Sequence, residues 1–241
     1  MTTDTHRLTV SGISVEIVRK DIKNLHLGVY PPEGRVRVAA PLLVNDEAVR
    51  LAVIGKLAWI KRQKAKFAAQ SRQSARRMVS GESHYFQGQR YRLRVIESSG
   101  KPQVCLRGKA TLELSVRPGS TVEQREAVLL QWYRDQLRAQ AAGLLEQWQA
   151  VLGVEAGGWG IRRMKTKWGS CNTVSRRLWL NLELAKKPPQ CVEYIVVHEL
   201  MHLRERHHNA RFVSLMTQFL PNWELTRDLL NQSPLAQEEW N

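Results

Sequence analysis

Two histidines four residues apart, with a glutamate directly after the first, form the pattern His198-Glu-Leu-Met-His202. On an α-helix, residues at this spacing lie on one face, so both imidazoles can point at a single ion. Glu199 would reach a water molecule beside that ion and act as its general base. Two imidazoles, a carboxylate and an open coordination position are typical of a hydrolytic zinc site, so Zn²⁺ is the expected cofactor.

A zinc site of this type requires a third protein ligand, and both His207 and His208 follow the motif. In a continuous helix, His208 would lie about 15 Å beyond His198 and roughly 80° off its face. We therefore expect the helix to end near residues 203–205 and the chain to fold back. Asn209 is a favourable N-cap for a following helix, which would place His208 at a corner that faces the metal. His208 is the favoured ligand and His207 the alternative.

The elements that lead up to this motif are predicted from the periodicity of apolar residues. Short runs with strand period occur within residues 8–38 and again within residues 85–114. Each group is followed by a helical pattern, one over about residues 45–78 and one over about residues 121–151. No internal repeat is visible in the sequence.

Three further elements are predicted around the metal motif. Residues 160–164 and 178–182 have the pattern of paired strands, and residues 192–203 have that of the metal helix. Pro188 and Pro189 precede the helix, and we expect both to lie outside it.

The charge of the chain is strongly basic and unevenly distributed. Net charge is +15, and residues 1–154 hold 25 Lys and Arg against 13 Asp and Glu. Residues 56–77 contain eight cations and no acidic residue. This helix is a candidate for contact with a nucleic-acid backbone, and a solvated amphipathic helix is the alternative.

The cellular location is predicted from cysteine usage and from the absence of targeting patterns. Cys105, Cys171 and Cys191 are widely spaced and odd in number, which does not indicate a disulfide framework. The first six residues have no signal pattern, and no apolar run approaches the roughly 18 residues of a membrane span. We therefore expect a cytoplasmic protein without a membrane partner.

Four motifs, taken in order and spacing, resemble the YgjP-like metallopeptidase family, a minimal zincin grouping related to the SprT-like proteases. They are Lys165-Thr-Lys-Trp-Gly-Ser-Cys171, Leu180-Asn-Leu182, Tyr194-Ile-Val-Val-His-Glu-Leu-Met-His-Leu203 and His208-Asn-Ala-Arg-Phe212. The N-terminal part also looks like the β-rich lead of that family. Two departures are Val213, where a Trp is common, and the longer segment 84–155.

The resemblance implies a zinc-dependent hydrolase with the ligands His198, His202 and His208 and with Glu199 as the catalytic base. It implies an α+β fold, with a β-rich N-terminal region followed by a minimal zincin-like domain that has an HExxH helix and a small sheet. We expect the first part to span residues 1–118 and the second to span residues 119–241.

Residues around the motifs are candidates for the substrate cleft. Trp168-Gly-Ser-Cys171 is expected to form one wall, with Lys165 and Lys167 at the rim and Cys171 in a structural role. The resemblance indicates that Asn181 binds the backbone of an extended substrate from an edge strand. Arg211 is a further candidate for substrate contact.

Two substrate classes are compatible with such a site. The leading prediction is a metallopeptidase that acts on polypeptides. The alternative is hydrolysis of nucleoside triphosphates of the UTP type, to which the YgjP-like family is also linked and for which the basic residues near the motifs would hold the phosphates. A third possibility is a DNA-associated binding module, which acts through the basic helix.

Overall fold

The computed structural model of the chain describes residues 5–30, 33–69, 76–164 and 166–232. The chain divides into two compact units, whose described residues fall within 5–69 and 76–232. The predicted boundary between residues 118 and 119 lies inside the second unit, because the strands before it share a hydrophobic core with the elements after it. Among the described residues, none of the helices combines the length and apolarity that a bilayer span requires.

The first unit consists of a four-stranded sheet and two helices. Its elements are β1 (Thr5–Val10), β2 (Ile13–Lys20), β3 (His26–Tyr30), β4 (Arg35–Pro41), α1 (Asp46–Ile54) and α2 (Leu57–Ala69). The strand order is β1-β2-β4-β3, and the central pair β2 and β4 is parallel. Alternate strand residues such as Val15, Ile17 and Val38 are fully buried with Val49 and Val53 of α1.

The single helix expected over residues 45–78 is two helices. Asn45 begins the first as predicted, because its side chain accepts a hydrogen bond from the Ala48 amide. Gly55 ends it, since glycine is a poor helix former and the Lys56 amide bonds to the Val53 carbonyl in a tighter turn. Residues 70–75 of the basic stretch lie outside the described part of the chain.

The second unit begins with another four-stranded sheet and a long helix. The elements are β5 (Ser83–Phe86), β6 (Gln89–Glu97), β7 (Gln103–Arg107), β8 (Thr111–Val116) and α3 (Val122–Leu152). Thr121 caps α3 in a reciprocal arrangement with Gln124, at the start of the helical pattern predicted over about residues 121–151. The inward-facing residues of β6 and β8 pack against Leu129, Tyr133 and Leu137 of α3.

The two sheets repeat one topology, although no repeat was visible in the sequence. The order β5-β6-β8-β7 matches β1-β2-β4-β3, and the central pair is parallel in both. Gly12 and Gly88 occupy the same position of the first hairpin turn, with φ of +77° and +79°. The helix caps Asn45 and Thr121 lie 76 residues apart, as Gly12 and Gly88 do.

The second unit continues with a three-stranded sheet and four helical segments. They are β9 (Gly158–Arg162), β10 (Gly169–Asn172), β11 (Arg177–Asn181), a 3-10 helix (Leu182–Lys186), α4 (Pro189–Met201), α5 (Ala210–Phe219) and α6 (Trp223–Gln232). The predicted pairing of β9 with β11 is confirmed and is parallel. The strand β10 was expected to be a loop, and it forms one edge of this sheet by pairing with β11.

Helix α4, which carries the histidine motif, starts earlier than predicted. Pro189 is its first residue, because a proline lacks an amide hydrogen that the first helical turn does not use. Nine of its 13 residues are buried, and the other four, Pro189, Gln190, Glu193 and His198, are exposed or half-buried.

The β5–β6 hairpin turn supports the start of α4. The amides of Gln87 and Gly88 donate hydrogen bonds to the carbonyls of Ala185 and Lys186, at 3.0 and 3.1 Å. A Cβ atom on Gly88 would lie 2.7 Å from Cγ of Pro188. The turn therefore requires glycine both for its positive φ and for its close approach to Pro188.

We expect Gly88→Ala to destabilise the second unit by about 1–3 kcal/mol more than Gly119→Ala. Both glycines have positive φ, at +79° and +71°, so both substitutions carry the conformational cost of about 1–2 kcal/mol. Only Gly88 meets a neighbour, since a Cβ on Gly119 contacts nothing within 4 Å. Urea unfolding of the two variants measures the difference, and equal losses would contradict the role of the Pro188 contact.

Candidate metal centre

Three imidazoles converge at the end of α4. The possible ligand atoms of His198, His202 and His208 all lie within 4.8 Å of one another. The Nε2 atoms of His198 and His208 are 3.0 Å apart. Two nitrogens that share a tetrahedral zinc ion at about 2.1 Å would be roughly 3.4 Å apart, so this spacing is close to that of a ligand pair.

A chain reversal brings His208 to the other two histidines. The helix ends at Met201, and the amides of Arg204 and Glu205 both bond to the Met201 carbonyl. The chain then turns back, and the Asn209 side chain caps α5 by accepting a hydrogen bond from the Phe212 amide at 2.9 Å. The expected end of the helix and the expected cap are both present, and His208 rather than His207 joins the cluster.

The ring of Phe212 packs against all three imidazoles. Its centroid lies 5.1, 5.0 and 4.7 Å from those of His198, His202 and His208. Phe212 is buried, so it supports the three imidazoles from the protein side. The sequence motif contained this residue, but its type and position gave no indication of the role.

The rings of His198 and His202 suit a metal because burial favours their neutral form. Burial, followed by the neighbouring histidines, lowers the pKa of His198 to about 3. Burial also lowers the pKa of His202. The Nδ1 atom of His202 lies 3.3 Å from the Glu205 carbonyl, so a proton there leaves Nε2 free as a ligand. Nitrogen donors of this kind, in a set of three, match a catalytic zinc site.

Glu199 lies beside the triad and directly under strand β10. It is 5% exposed, and burial raises its pKa to about 8, although the charge of Lys167 opposes the shift. A Cβ atom on Gly169 would lie 2.5 Å from Oε1 of Glu199 and 2.8 Å from Cγ2 of Ile195. The missing side chain of Gly169 is therefore the space that the carboxyl group occupies.

A cleft of about 710 Å³ opens over the histidines and Glu199. All four residues of β10 line it, together with Lys167 and Trp168. Cys171 also lines the cleft, and burial followed by the charge of Glu199 raises its thiol pKa to about 11. A protonated thiol is a poor nucleophile, which agrees with the structural role expected for Cys171.

Asn181 was predicted to bind substrate from an edge strand. This prediction is wrong, because Asn181 is neither on an edge strand nor accessible to a substrate. Strand β11 is the central strand of its sheet, and Asn181 is fully buried. Its Nδ2 atom donates to the carbonyls of Met164 and Lys167, both at 2.8 Å, and its Oδ1 atom accepts from the Glu183 amide. Asn181 therefore holds the loop before β10 in place.

Two other predicted residues are not placed in the cleft. Arg211 is an exposed residue of α5 and does not line the cavity. Lys165 lies outside the described residues. Arg206, one of the basic residues near the motifs that were expected to hold phosphates, lines the cleft, and so does Arg227, which was not singled out. Arg227 is on α6, a helix that carries no recognisable site motif, so only the tertiary structure reveals it.

The chain is similar to a known protein family and, over part of its length, to solved structures. The profile described as YgjP-like, metallopeptidase domain matches residues 23–233. No curated protein matches significantly in sequence. The crystal structure of the metallopeptidase zymogen jannalysin of Methanocaldococcus jannaschii is 19% identical, with a TM-score of 0.36, and covers 39% of this chain and 88% of its own. The metallopeptidase zymogen abylysin of Pyrococcus abyssi is 22% identical, with a TM-score of 0.34, and covers 37% and 87%.

We expect Gly169→Ala to displace the Glu199 carboxyl group and to lower kcat by about 100-fold, because misplacement by about 1 Å has an effect of that size. Metal content should change little, since the three atoms nearest to the added Cβ belong to Glu199 and Ile195 and none of them to a histidine. Metal analysis and steady-state kinetics of the purified variant measure these effects.

Gly160→Ala is the matched control, because its added Cβ would meet the Trp179 ring at 2.7 Å and not Glu199. This variant should lose stability but keep the kcat of the unmodified protein. Equal losses of kcat in both variants would show that Gly169 matters for the packing of the sheet and not for the position of the Glu199 carboxyl group.

The pH dependence of stability should reveal the buried Glu199. Its pKa is raised from 4.5 to about 8 in the metal-free protein, so the folded state keeps a proton that the unfolded state releases. This group therefore stabilises fully below pH 4.5, and its contribution is lost as pH rises to about 8. Relative to metal-free Glu199→Gln, the unmodified protein should lose stability on the order of a few kcal/mol over this range. Denaturant unfolding at a series of pH values measures the free energy of unfolding of both proteins. If the two curves ran parallel with pH, the pKa of Glu199 would not be raised.

Proposed function

The chain belongs to the YgjP-like metallopeptidase family, and from this premise we propose that it is a zinc-dependent peptidase whose general base is Glu199. Membership of the family makes the chain a metal-dependent hydrolase. The identity of the metal, the residues that bind it and the reaction mechanism are our proposals. They are supported by the three imidazoles, by the buried carboxyl group beside them and by the cleft above both.

We assign the metal to His198, His202 and His208. When bound, zinc would supply a Lewis acid for the scissile carbonyl and lower the pKa of water near it. The neutral state of His198 favours this role, because burial holds its pKa far below neutrality and keeps a nitrogen lone pair available. The Glu205 carbonyl orients the His202 ring, and Phe212 supports all three rings.

Glu199 is assigned the proton transfers. Its carboxylate accepts a proton from the attacking water, and the same group then donates a proton to the nitrogen of the departing amine. Burial against Gly169 and Ile195 keeps the carboxyl group in one position and limits its contact with solvent. A raised pKa brings this group close to the pH at which it must both accept and release a proton.

The free edge of strand β10 is the observation that most favours a polypeptide substrate. The strand pairs with β11 on one side, and among the described residues no strand pairs with its other side. Its residues line the cleft beside Glu199. An extended peptide can add to such an edge through main-chain hydrogen bonds, which would hold its backbone along the cleft.

The cations of the cleft favour the alternative substrate, a nucleoside triphosphate. Lys167, Arg206 and Arg227 line the cavity, and among its described lining residues Glu199 is the sole carboxylate. Arg227 is partly neutralised, since its Nε atom lies 3.1 Å from Asp228. Guanidinium groups bind phosphate oxygens well. Under this alternative the metal and the base stay the same, and the water attacks phosphorus in place of a carbonyl carbon.

Glu199→Gln should retain the metal and lower peptide hydrolysis by at least about 100-fold, because the amide cannot accept the proton. The assay uses the zinc-loaded protein with an unfolded polypeptide and, separately, with nucleoside triphosphates. Removal of the metal by a chelator should also abolish hydrolysis, and added zinc should restore it.

Glu193→Gln is the matched control on the same helix. Its carboxyl group accepts a hydrogen bond from the Trp148 indole at 3.0 Å and does not line the cleft, so activity should persist. Turnover of polypeptide by Glu199→Gln at the unmodified rate would contradict the mechanism. Hydrolysis of triphosphates without any cleavage of polypeptide would favour the alternative substrate.

A further inference from the structure

Strand β6 presents a row of arginines on the outer side of its sheet. Its alternate residues Tyr91 and Leu93 are buried in the core, while Arg90, Arg92 and Arg94 are exposed. Residues two apart on a strand lie about 6.8 Å from each other on the same face. The three guanidinium groups therefore form a straight row along the strand.

Neighbouring strands add one aromatic ring and one more cation to this face. Tyr85 of β5 is the cross-strand partner of Arg90, and it is 40% exposed. Arg107 of β7 is exposed and lies 3.5 Å from Glu113 of β8. We call Tyr85, Arg90, Arg92, Arg94 and Arg107 the arginine face.

The three arginines of β6 have no ion-pair partner within the described part of the chain. Glu113, the cross-strand partner of Arg94, pairs with Arg107 instead. Like charges on one strand repel each other, and the row gains nothing from a carboxylate between them. The fold of this sheet comes from its buried side and does not require these side chains.

The same face of the first unit has an acid on β2, the strand equivalent to β6. There, Glu16 lies at the centre of three arginines. Its carboxylate is 3.7 Å from Arg35 and 3.9 Å from Arg37, and its cross-strand partner is Arg7. The two sheets share strand order, so a central acid is compatible with this topology. In the second unit the acid of this face, Glu113, lies on β8 and pairs with Arg107, so it does not separate the arginines of β6.

We propose that the arginine face binds single-stranded nucleic acid. A row of unpaired guanidinium groups can neutralise successive phosphates, and an exposed ring beside the row can stack on an unpaired base. An acidic polypeptide would pair with the arginines but would have no base to stack on Tyr85. In a duplex the bases are already paired and stacked, so they are not available to the ring. The combination of an aromatic ring with the cation row therefore favours a single strand.

This surface is distinct from the basic stretch 56–77, which the sequence pointed to as a nucleic-acid contact. Most of that stretch lies in the first unit, only Arg76 and Arg77 of its cations belong to the second, and it is only partly described. The arginine face lies in the second unit, its side chains are described, and none of its members lines the catalytic cleft.

The test is fluorescence anisotropy of a labelled oligothymidylate of about 16 nucleotides with the zinc-loaded full chain, at about 50 to about 200 mM salt. The triple variant Arg90→Gln, Arg92→Gln, Arg94→Gln should bind at least about tenfold more weakly at low salt. The slope of log affinity against log salt should decrease by about 2, since each lost phosphate contact on a single strand contributes about 0.7.

The matched control is the triple variant Arg7→Gln, Arg35→Gln, Arg37→Gln, which removes the same charge from the equivalent face of the first unit. It should keep the slope of the unmodified protein and most of its affinity. Equal weakening by the two triple variants would show an effect of net charge alone and would overturn the proposal, as would a lack of binding by the unmodified protein.

Tyr85 gives a second and independent measurement. Tyr85→Phe keeps a stacking ring and should bind like the unmodified protein, whereas Tyr85→Leu should bind about tenfold more weakly. Equal affinity of the two Tyr85 variants would overturn the assignment to unpaired bases. Equal or tighter binding of a duplex of the same length, or equally effective competition by polyglutamate, would also overturn it.

Discussion

The burial of helix α4 is the constraint on which the site depends. Its side chains are covered almost all round, yet it carries His198 and Glu199. A buried polar group is costly unless it finds a partner, so the surrounding elements must be arranged around these two residues. Strand β10 comes close enough to enclose the Glu199 carboxyl group only because Gly169 lacks a side chain. The chain reversal after Met201 returns His208 to His198 and His202, where the imidazoles meet.

The parts of the site that depend on local sequence were predictable. The spacing of His198 and His202, the cap at Asn209 and the helix end before residue 205 follow from helix geometry alone. Strand β10 was not predictable, because Gly-Ser-Cys-Asn has little strand preference and becomes a strand only by pairing with β11. The sequence also did not predict that Asn181 is buried, and it was therefore assigned to the substrate. Its burial and its bonds to the loop before β10 arise from residues distant in sequence.

The repeated topology explains why the sheets could be predicted while their relationship could not. The two copies share a turn with positive φ, a set of buried apolar positions and a capped helix. Several residue types can satisfy each of these three structural requirements. Asn45 and Thr121 cap their helices in the same way without being identical. Similarity of this kind leaves almost no trace in residue identity. The copies then differ in what the turn contacts: Gly88 approaches Pro188, whereas a Cβ on Gly12 would meet nothing within 4 Å.

The outward faces of the two sheets show how one topology allows different surface chemistry. Inward positions are held by packing, so the valines and leucines of both sheets are interchangeable only within narrow limits of volume. Outward positions contribute little to the core and are free to change charge. In the first unit the central strand β2 carries a carboxylate among arginines, whereas in the second the equivalent strand β6 carries three arginines and the carboxylate of Glu113 on β8 pairs with Arg107. Because the three arginines of β6 form no ion pair within the described residues and their charges repel, a ligand explains the row better than stability does.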